Sequence, residues 1–266
     1  MPYAHTLFDV DRESHVATVT LNKPERMNAI DQGDAADILD ICRQIQDDDD
    51  IWIAIWTGAG RGFCSGADVT GPRPTLEGAD LNRLLDEGSW ISRQANALYG
   101  IDKPMIAAVN GVAAGAGFSL ALACDVRIGS EAARFVTVFQ ERNLPPEGGM
   151  SWLLPRVVGM SRALDLSLTS RRVDADEALR IGLLDRIVPA NHLLDEARAY
   201  AGQICGLPPG AVRVSKRAIR RAFETSFGEA TRYESQLGSL TQRARADSKE
   251  ARDSFLEKRK PRYTGR

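Results

Sequence analysis

Two nearly unbroken apolar blocks constrain this chain most: Ile51-Trp52-Ile53-Ala54-Ile55-Trp56-Thr57 and Met105-Ile106-Ala107-Ala108-Val109. A strand that is apolar on both faces must be covered on both faces, as strands of parallel sheets are. Each block is followed by a glycine-rich loop and then by a helical pattern. That repeated strand–loop–helix order implies an α/β fold with mostly parallel pairing. Val16-Ala17-Thr18-Val19-Thr20-Leu21 alternates and stops at Asn22-Lys23-Pro24, so it reads as a further strand. Ile38, Ile41, Cys42 and Ile45 share the inner face of a helix. Asp47-Asp48-Asp49-Asp50 opposes the helix dipole, ends that helix and reads as a solvated loop. The segment from Gly71 to Gly78, with its prolines and glycines, reads as an irregular surface loop. Asp174-Ala175-Asp176-Glu177 has capping-box spacing and opens a short helix closed by Gly182.

From about Asn191 the pattern is helical only: Leu193 to Ile204, Ala211 to Phe223, and Phe227 to Lys258. The expected division is an α/β core over 1–190 and a helical appendage over 191–266. The formal net charge of −2 gives no global field that would attract nucleic acid or an acidic membrane. The basic patch Lys216-Arg217-Ala218-Ile219-Arg220-Arg221 reads as an exposed helix face. Cys42, Cys64, Cys124 and Cys205 are scattered, with neither zinc spacing nor a disulfide framework, which suits a reducing cytoplasm. The start of the chain does not read as a signal peptide, and no apolar run reaches the roughly 18 residues of a membrane span.

The chemistry is expected in the two glycine-rich segments. The first runs from Thr57 through Gly60-Arg61-Gly62-Phe63-Cys64-Ser65-Gly66-Ala67-Asp68. Its small residues let a ligand approach the backbone, and N–H groups left unpaired in such a turn can face an oxyanion. The second is Asn110-Gly111-Val112-Ala113-Ala114-Gly115-Ala116-Gly117-Phe118-Ser119, where small residues give way to a buried helix start. A helix N-terminus offers free N–H donors. Neither a P-loop ending nor a dinucleotide glycine spacing is present.

Taken together, these segments resemble the crotonase (enoyl-CoA hydratase/isomerase) superfamily. The resemblance extends to Asn22-Lys23-Pro24-Glu25-Arg26-Met27-Asn28-Ala29, Lys103-Pro104-Met105, Glu147-Gly148-Gly149 and Phe255-Leu256-Glu257-Lys258-Arg259-Lys260-Pro261. It implies a spiral of repeated β-β-α units with C-terminal helices that form a homotrimer or a dimer of trimers. It implies an acyl-CoA thioester as substrate, with no cofactor beyond the coenzyme A that the substrate carries. By position, the backbone N–H groups of Ala67 and Ala116 match the pair that holds the thioester oxygen. Arg26, Ala29, Phe255 and Lys258 match positions that contact coenzyme A, and Asp68 and Ser119 match positions beside the substrate.

The resemblance also shows what this chain lacks. Hydratases of the family generally use two glutamates, but those positions hold Ser119 and the carboxylate-free run Phe135-Val136-Thr137-Val138-Phe139. Glu147 instead stands before a glycine pair, where several double-bond isomerases of the family carry Asp or Glu. The expected activity is therefore a C=C shift through a thioester enolate, with Glu147 as proton shuttle and Glu141 as its rival. Ser119 has no suitable histidine to activate it and reads as pocket lining or a water contact. Asp68 is expected to fix its own loop by local hydrogen bonds, and Asp125 to be structural. Phe139 and Trp152 either shape the acyl pocket or belong to the core. The alternatives are a hydratase of altered design, in which Glu147 acts on a water held by Ser119, and a non-catalytic binding or scaffold member.

Overall fold

The computed structural model describes residues 3–70, 81 and 89–266, so the expected loop from Gly71 to Gly78 lies outside the described residues. The chain opens with an antiparallel hairpin, β1 (Thr6–Asp11) and β2 (Val16–Leu21). Helix α1 (Gln32–Asp47) follows, started by an Asp31/Asp34 capping box. Ile38, Ile41, Cys42 and Ile45 are its buried face, as the periodicity predicts. The helix stops at the acidic run, but that run is not merely solvated. Arg12 pairs with Asp48 and Asp50, and the buried Lys103 ammonium donates to the Asp48 carbonyl.

The spiral then repeats. The first coil is β3 (Ile53–Gly58), β4 (Gly62–Cys64) and, further on, α2 (Trp90–Gly100). The second is β5 (Met105–Val109), β6 (Val112–Ala114) and α3 (Ala116–Ala123). The third is β7 (Val126–Ser130), β8 (Arg134–Val136), α4 (Met150–Val158) and α5 (Met160–Thr169). A short return through β9 (Val173–Asp174), α6 (Ala175–Arg180) and β10 (Arg186–Val188) closes the core. First strands of successive coils build one sheet in the order β1-β2-β3-β5-β7-β10, and second strands build another in the order β4-β6-β8-β9. Within each sheet, the strands of successive coils pair in parallel. This is the α/β spiral of β-β-α units that the resemblance implies.

All of β3 and β5 is buried. One face packs into the main core with Trp56, Met105, Ala107 and Val109. The other, Ile53, Ile55, Ile106 and Ala108, is covered by Leu193, Ala197 and Ala201 of α7 (Leu193–Cys205). Covering both faces explains why these strands read as continuous apolar blocks.

Beyond α7 lie α8 (Pro209–Ala222), α9 (Phe227–Thr241) and α10 (Arg245–Glu257). The single helix expected from Phe227 to Lys258 is two helices broken at 242–244. The break is a tertiary effect without a local glycine or proline. It places buried Asp247 in the first turn of α10, where its carboxylate accepts the N–H groups of Thr264 (2.7 Å) and Gly265 (2.9 Å) and so anchors the end of the tail. Among the described residues, no helix is long and apolar enough to cross a membrane.

The basic patch of α8 departs from expectation. The Lys216 side chain is buried and Arg217 and Arg220 are half-buried, turned onto acids of the core, while Ile219 and Arg221 stay exposed as expected. The Lys216 ammonium meets Asp125 (2.7 Å) and the Lys103 carbonyl (2.8 Å). Arg220 meets the other Asp125 oxygen at 2.8 Å, and Arg217 pairs with Asp102. Asp125 also accepts the Met105 N–H at 2.8 Å, which supports the structural role expected for it. Pro209 is the one buried residue of α8, so charge rather than apolar packing fastens this helix. Burial pushes the Lys216 ammonium below the usual lysine range, and Asp125 opposes that shift. Asp125→Ala should therefore lower stability by about 3–5 kcal/mol, the cost of stranding a buried charge. Urea unfolding checks this, and a loss below about 1 kcal/mol, typical of a solvated pair, would contradict it.

Candidate active site

Strands β4 and β6 are parallel neighbours, and each ends in one of the two glycine-rich segments. After β4, the Ile30 N–H donates to the Gly66 carbonyl (2.8 Å), and the Asp68 N–H donates to the Ile30 carbonyl (2.8 Å). Ile30 thus binds both neighbours of Ala67, in a parallel bridge that turns the N–H and C=O of Ala67 itself to the opposite side. Gly66 has φ +101°, and a Cβ on it would lie 2.8 Å from the Ala114 carbonyl oxygen. After β6, Gly115 (φ +49°) swings the chain into α3, with Ala116 as its first residue. The first N–H of a helix has no intrahelical partner. Among the described residues, neither the Ala67 nor the Ala116 N–H has a hydrogen-bond partner. Two such donors at adjoining strand ends can hold an oxygen that acquires negative charge.

Side chains brace this geometry. Buried Asn28 donates to the carbonyls of Ala59 (2.9 Å), Gly62 (2.8 Å) and Phe63 (3.2 Å), and accepts the Lys23 N–H (2.9 Å). Asn110 grips the same loop through Gly58, Gly60 and Gly62. The buried Lys23 ammonium binds Asp34 (2.6 Å) and Asp31 (3.0 Å), while His5 meets the other Asp34 oxygen (2.8 Å). Burial alone would lower the Lys23 pKa, but the bonds to Asp34 and Asp31 win and hold it raised. The motif Asn22–Ala29 contains Asn28, but nothing in the linear sequence shows that one amide satisfies three carbonyls of a loop some thirty residues away.

Ala67, Ala116 and Glu147 line one small cavity, together with Gly66, Gly115, Val138 and Phe139. Glu147 is half-buried and is the one carboxylate among the described residues of that lining. Glu141 is exposed, in a short 3₁₀ turn, and does not line the cavity. Val138 has φ +56°, a left-handed conformation that costs a β-branched residue energy and tends to occur at functional sites. Cys64 precedes the lining residue Ser65 in the chain, but burial pushes its thiol to about 12, so it supplies no thiolate nucleophile.

The other expected site residues fall in different places. Ser119 is buried and is not among the residues that line the cavity, contrary to a pocket-lining role; its hydroxyl donates to the Glu147 carbonyl at 3.0 Å. Asp68 accepts the N–H (2.9 Å) and hydroxyl (2.6 Å) of Thr70, the local loop bonding expected of it, and the Thr70 hydroxyl bond leads in holding its carboxyl below the usual range. Arg26 is exposed and donates to the same Thr70 hydroxyl at 3.1 Å, so Arg26, Thr70 and Asp68 form one surface chain. Ala29 is half-buried nearby in sequence, while Phe255 and Lys258 are exposed at the end of α10. None of Arg26, Ala29, Phe255 and Lys258 lines the cavity. Phe139 does line it. Trp152 lines a second cavity of about 240 Å³ with Tyr99, Gly148 and Gly149, and meets Tyr99 edge-on at 5.2 Å.

Comparison with known proteins agrees with this architecture. The model of the family described as Enoyl-CoA hydratase/isomerase matches residues 11–266. The chain is 37% identical to the 1,2-epoxyphenylacetyl-CoA isomerase of Escherichia coli (strain K12) over 261 residues, covering 96% of this chain and 97% of that protein. It is 36% identical to the short-chain-enoyl-CoA hydratase of Clostridium acetobutylicum over 255 residues, covering 94% and 95%. The crystal structure of an enoyl-CoA hydratase from Bacillus anthracis superposes with a TM-score of 0.88 at 30% identity, covering 98% of this chain and all of that one.

Proposed function

The chain belongs to the enoyl-CoA hydratase/isomerase family, and from that premise we propose that it shifts a C=C bond of an acyl-CoA thioester rather than adding water to it. Relatives of both names match it about equally well, so their names do not decide between the two reactions. The observation that carries the choice is Glu147, the one carboxylate among the described residues of the cavity that holds the Ala67 and Ala116 N–H groups. A shift needs only one base. Glu147 takes a proton from the α-carbon of a 3-enoyl thioester. The electron pair moves onto the thioester oxygen, and the Ala67 and Ala116 N–H groups hold the enolate. Glu147 then returns the proton at the γ-carbon, which leaves the conjugated 2-enoyl product. Ser119, at one hydratase glutamate position, has its hydroxyl proton committed to the Glu147 carbonyl, which disfavours it as a holder of attacking water.

The test supplies a 3-enoyl-CoA and a 2-enoyl-CoA separately. The expected result is conversion of the first to the conjugated isomer, with solvent deuterium that exchanges onto Glu147 entering at the γ carbon and, through the reverse reaction, at the α carbon. Faster formation of a 3-hydroxyacyl-CoA from the second would overturn the reading. The exposed Phe223, Phe227, Phe255 and Leu256 form apolar surface on the C-terminal helices, which supports a homotrimer or a dimer of trimers as the working assembly.

A further inference from the structure

We propose that Ser119 is a positioning residue that ties the turn carrying the base to the helix carrying one of the oxyanion donors. The inference rests on the reading of Glu147 as the base. Ser119 lies in the first turn of α3, three residues after Ala116, and only 4% of it is exposed. Its own N–H is committed to the Gly115 carbonyl at 2.9 Å. Its hydroxyl crosses to the Glu147 carbonyl at 3.0 Å, a contact between residues 28 apart in sequence.

The turn around Glu147 needs such an anchor. Glu147 is followed by Gly148 (φ +65°) and Gly149 (φ +80°), and α4 starts only at Met150. Successive left-handed glycines give the backbone many alternative paths. The Glu147 carbonyl also accepts the Met150 N–H at 3.2 Å, but that bond lies within the turn and cannot fix the turn against the rest of the site. Ser119 can, because its helix also presents Ala116. The fit is close: a Cβ on Gly148 would lie 3.0 Å from the Ser119 Cβ, 3.1 Å from its hydroxyl and 3.3 Å from the Ile91 Cγ2. The turn rests directly on Ser119, and the hydroxyl bond fixes where it rests. A position that holds a carboxylate in hydratases thus serves here to locate a carboxylate borne by a different turn.

Ser119→Ala removes the tie while leaving the Met150 bond in place. Because rate depends on reacting-atom placement at the ångström scale, kcat for isomerisation should fall about 10–100-fold. KM for the acyl-CoA should stay within about threefold if binding is untouched, since only a group realised in the transition state changes kcat alone. Ser119→Thr, which keeps the hydroxyl, should restore most of kcat. A Ser119→Ala variant with native kcat, or one in which KM alone rises, overturns the proposal. So does a Ser119→Thr variant as slow as Ser119→Ala when both melt at the native temperature. Should Ser119→Ala fail to fold, Ser119→Cys, nearly the same size with a weaker donor, takes its place and is expected to fall between native and the loss above. Glu147→Gln assayed in parallel separates the two readings: an active Glu147→Gln refutes the base itself, whereas an inactive one beside a native-like Ser119→Ala refutes only the tie.

Discussion

Glu147→Gln should slow isomerisation by about 10²–10⁴-fold, the contribution of a positioned acid–base group. Glutamine keeps the size and reach of glutamate but cannot take up the proton. Among the described residues, no hydrogen bond or ion pair holds the Glu147 carboxylate, so neutralising it strands no partner. The loss should therefore appear in kcat. Affinity for a saturated acyl-CoA, measured by calorimetry, should stay within about threefold, because uniform binding energy is made elsewhere. Full activity would move the base to another group, and Glu141, exposed and outside the cavity, would need a rearranged turn to reach it.

Gly117→Ala should be nearly as damaging, by a different route. Helix propensity alone favours alanine over glycine by about 0.8–1 kcal/mol, so a local argument predicts a gain. The surroundings reverse the sign. The added Cβ would sit 2.2 Å from the Cys64 carbonyl oxygen, 2.6 Å from the Cys64 Cβ and 2.7 Å from its sulfur. Cys64 is fully buried at the end of β4, so it has nowhere to retreat. The start of α3 must move instead, and it carries the Ala116 N–H with it. Losing one oxyanion donor costs about 2.7–4 kcal/mol of barrier, or about 10²–10³ in kcat. A lower melting temperature should accompany the slower rate. Gly100→Ala, at the end of α2, is the control: it has nothing within 4 Å of the added Cβ, so kcat should be unchanged and the melting temperature level or slightly higher. A Gly117→Ala enzyme with native kcat would show that the two donors do not act as a pair.

Much of this was legible in the sequence because the signals were local and repeated. The blocks at 51–57 and 105–109 became β3 and β5, buried on both faces as their composition required. The Ile38-to-Ile45 stripe became the inner face of α1. Glu147 could be picked out only through the resemblance, which sets an acid before the glycine pair, and it lies in one cavity with Ala67 and Ala116. What could not be read depends on partners distant in the chain. Lys216 and Arg220 look like a solvated helix face until Asp125, some ninety residues earlier, is placed beneath them. The break before α10 has no glycine or proline to announce it, because it serves a tail anchored on Asp247. The tie from Ser119 to a carbonyl is invisible for the same reason: a backbone acceptor leaves no mark in the residue code.

The pairing of β4 with β6 also acts as a gauge. The two N–H groups proposed to hold the thioester oxygen lie just past this pair, Ala67 three residues beyond Cys64 and Ala116 two beyond Ala114. The spacing of the proposed donors then rests on strand pairing and on the close approach that Gly66 and Gly117 allow, and not on any functional side chain. Substitutions around it can exchange bases or reshape the acyl pocket while the gap stays the same. A chain of this kind can change what it does with an enolate far more easily than it can lose the means to hold one.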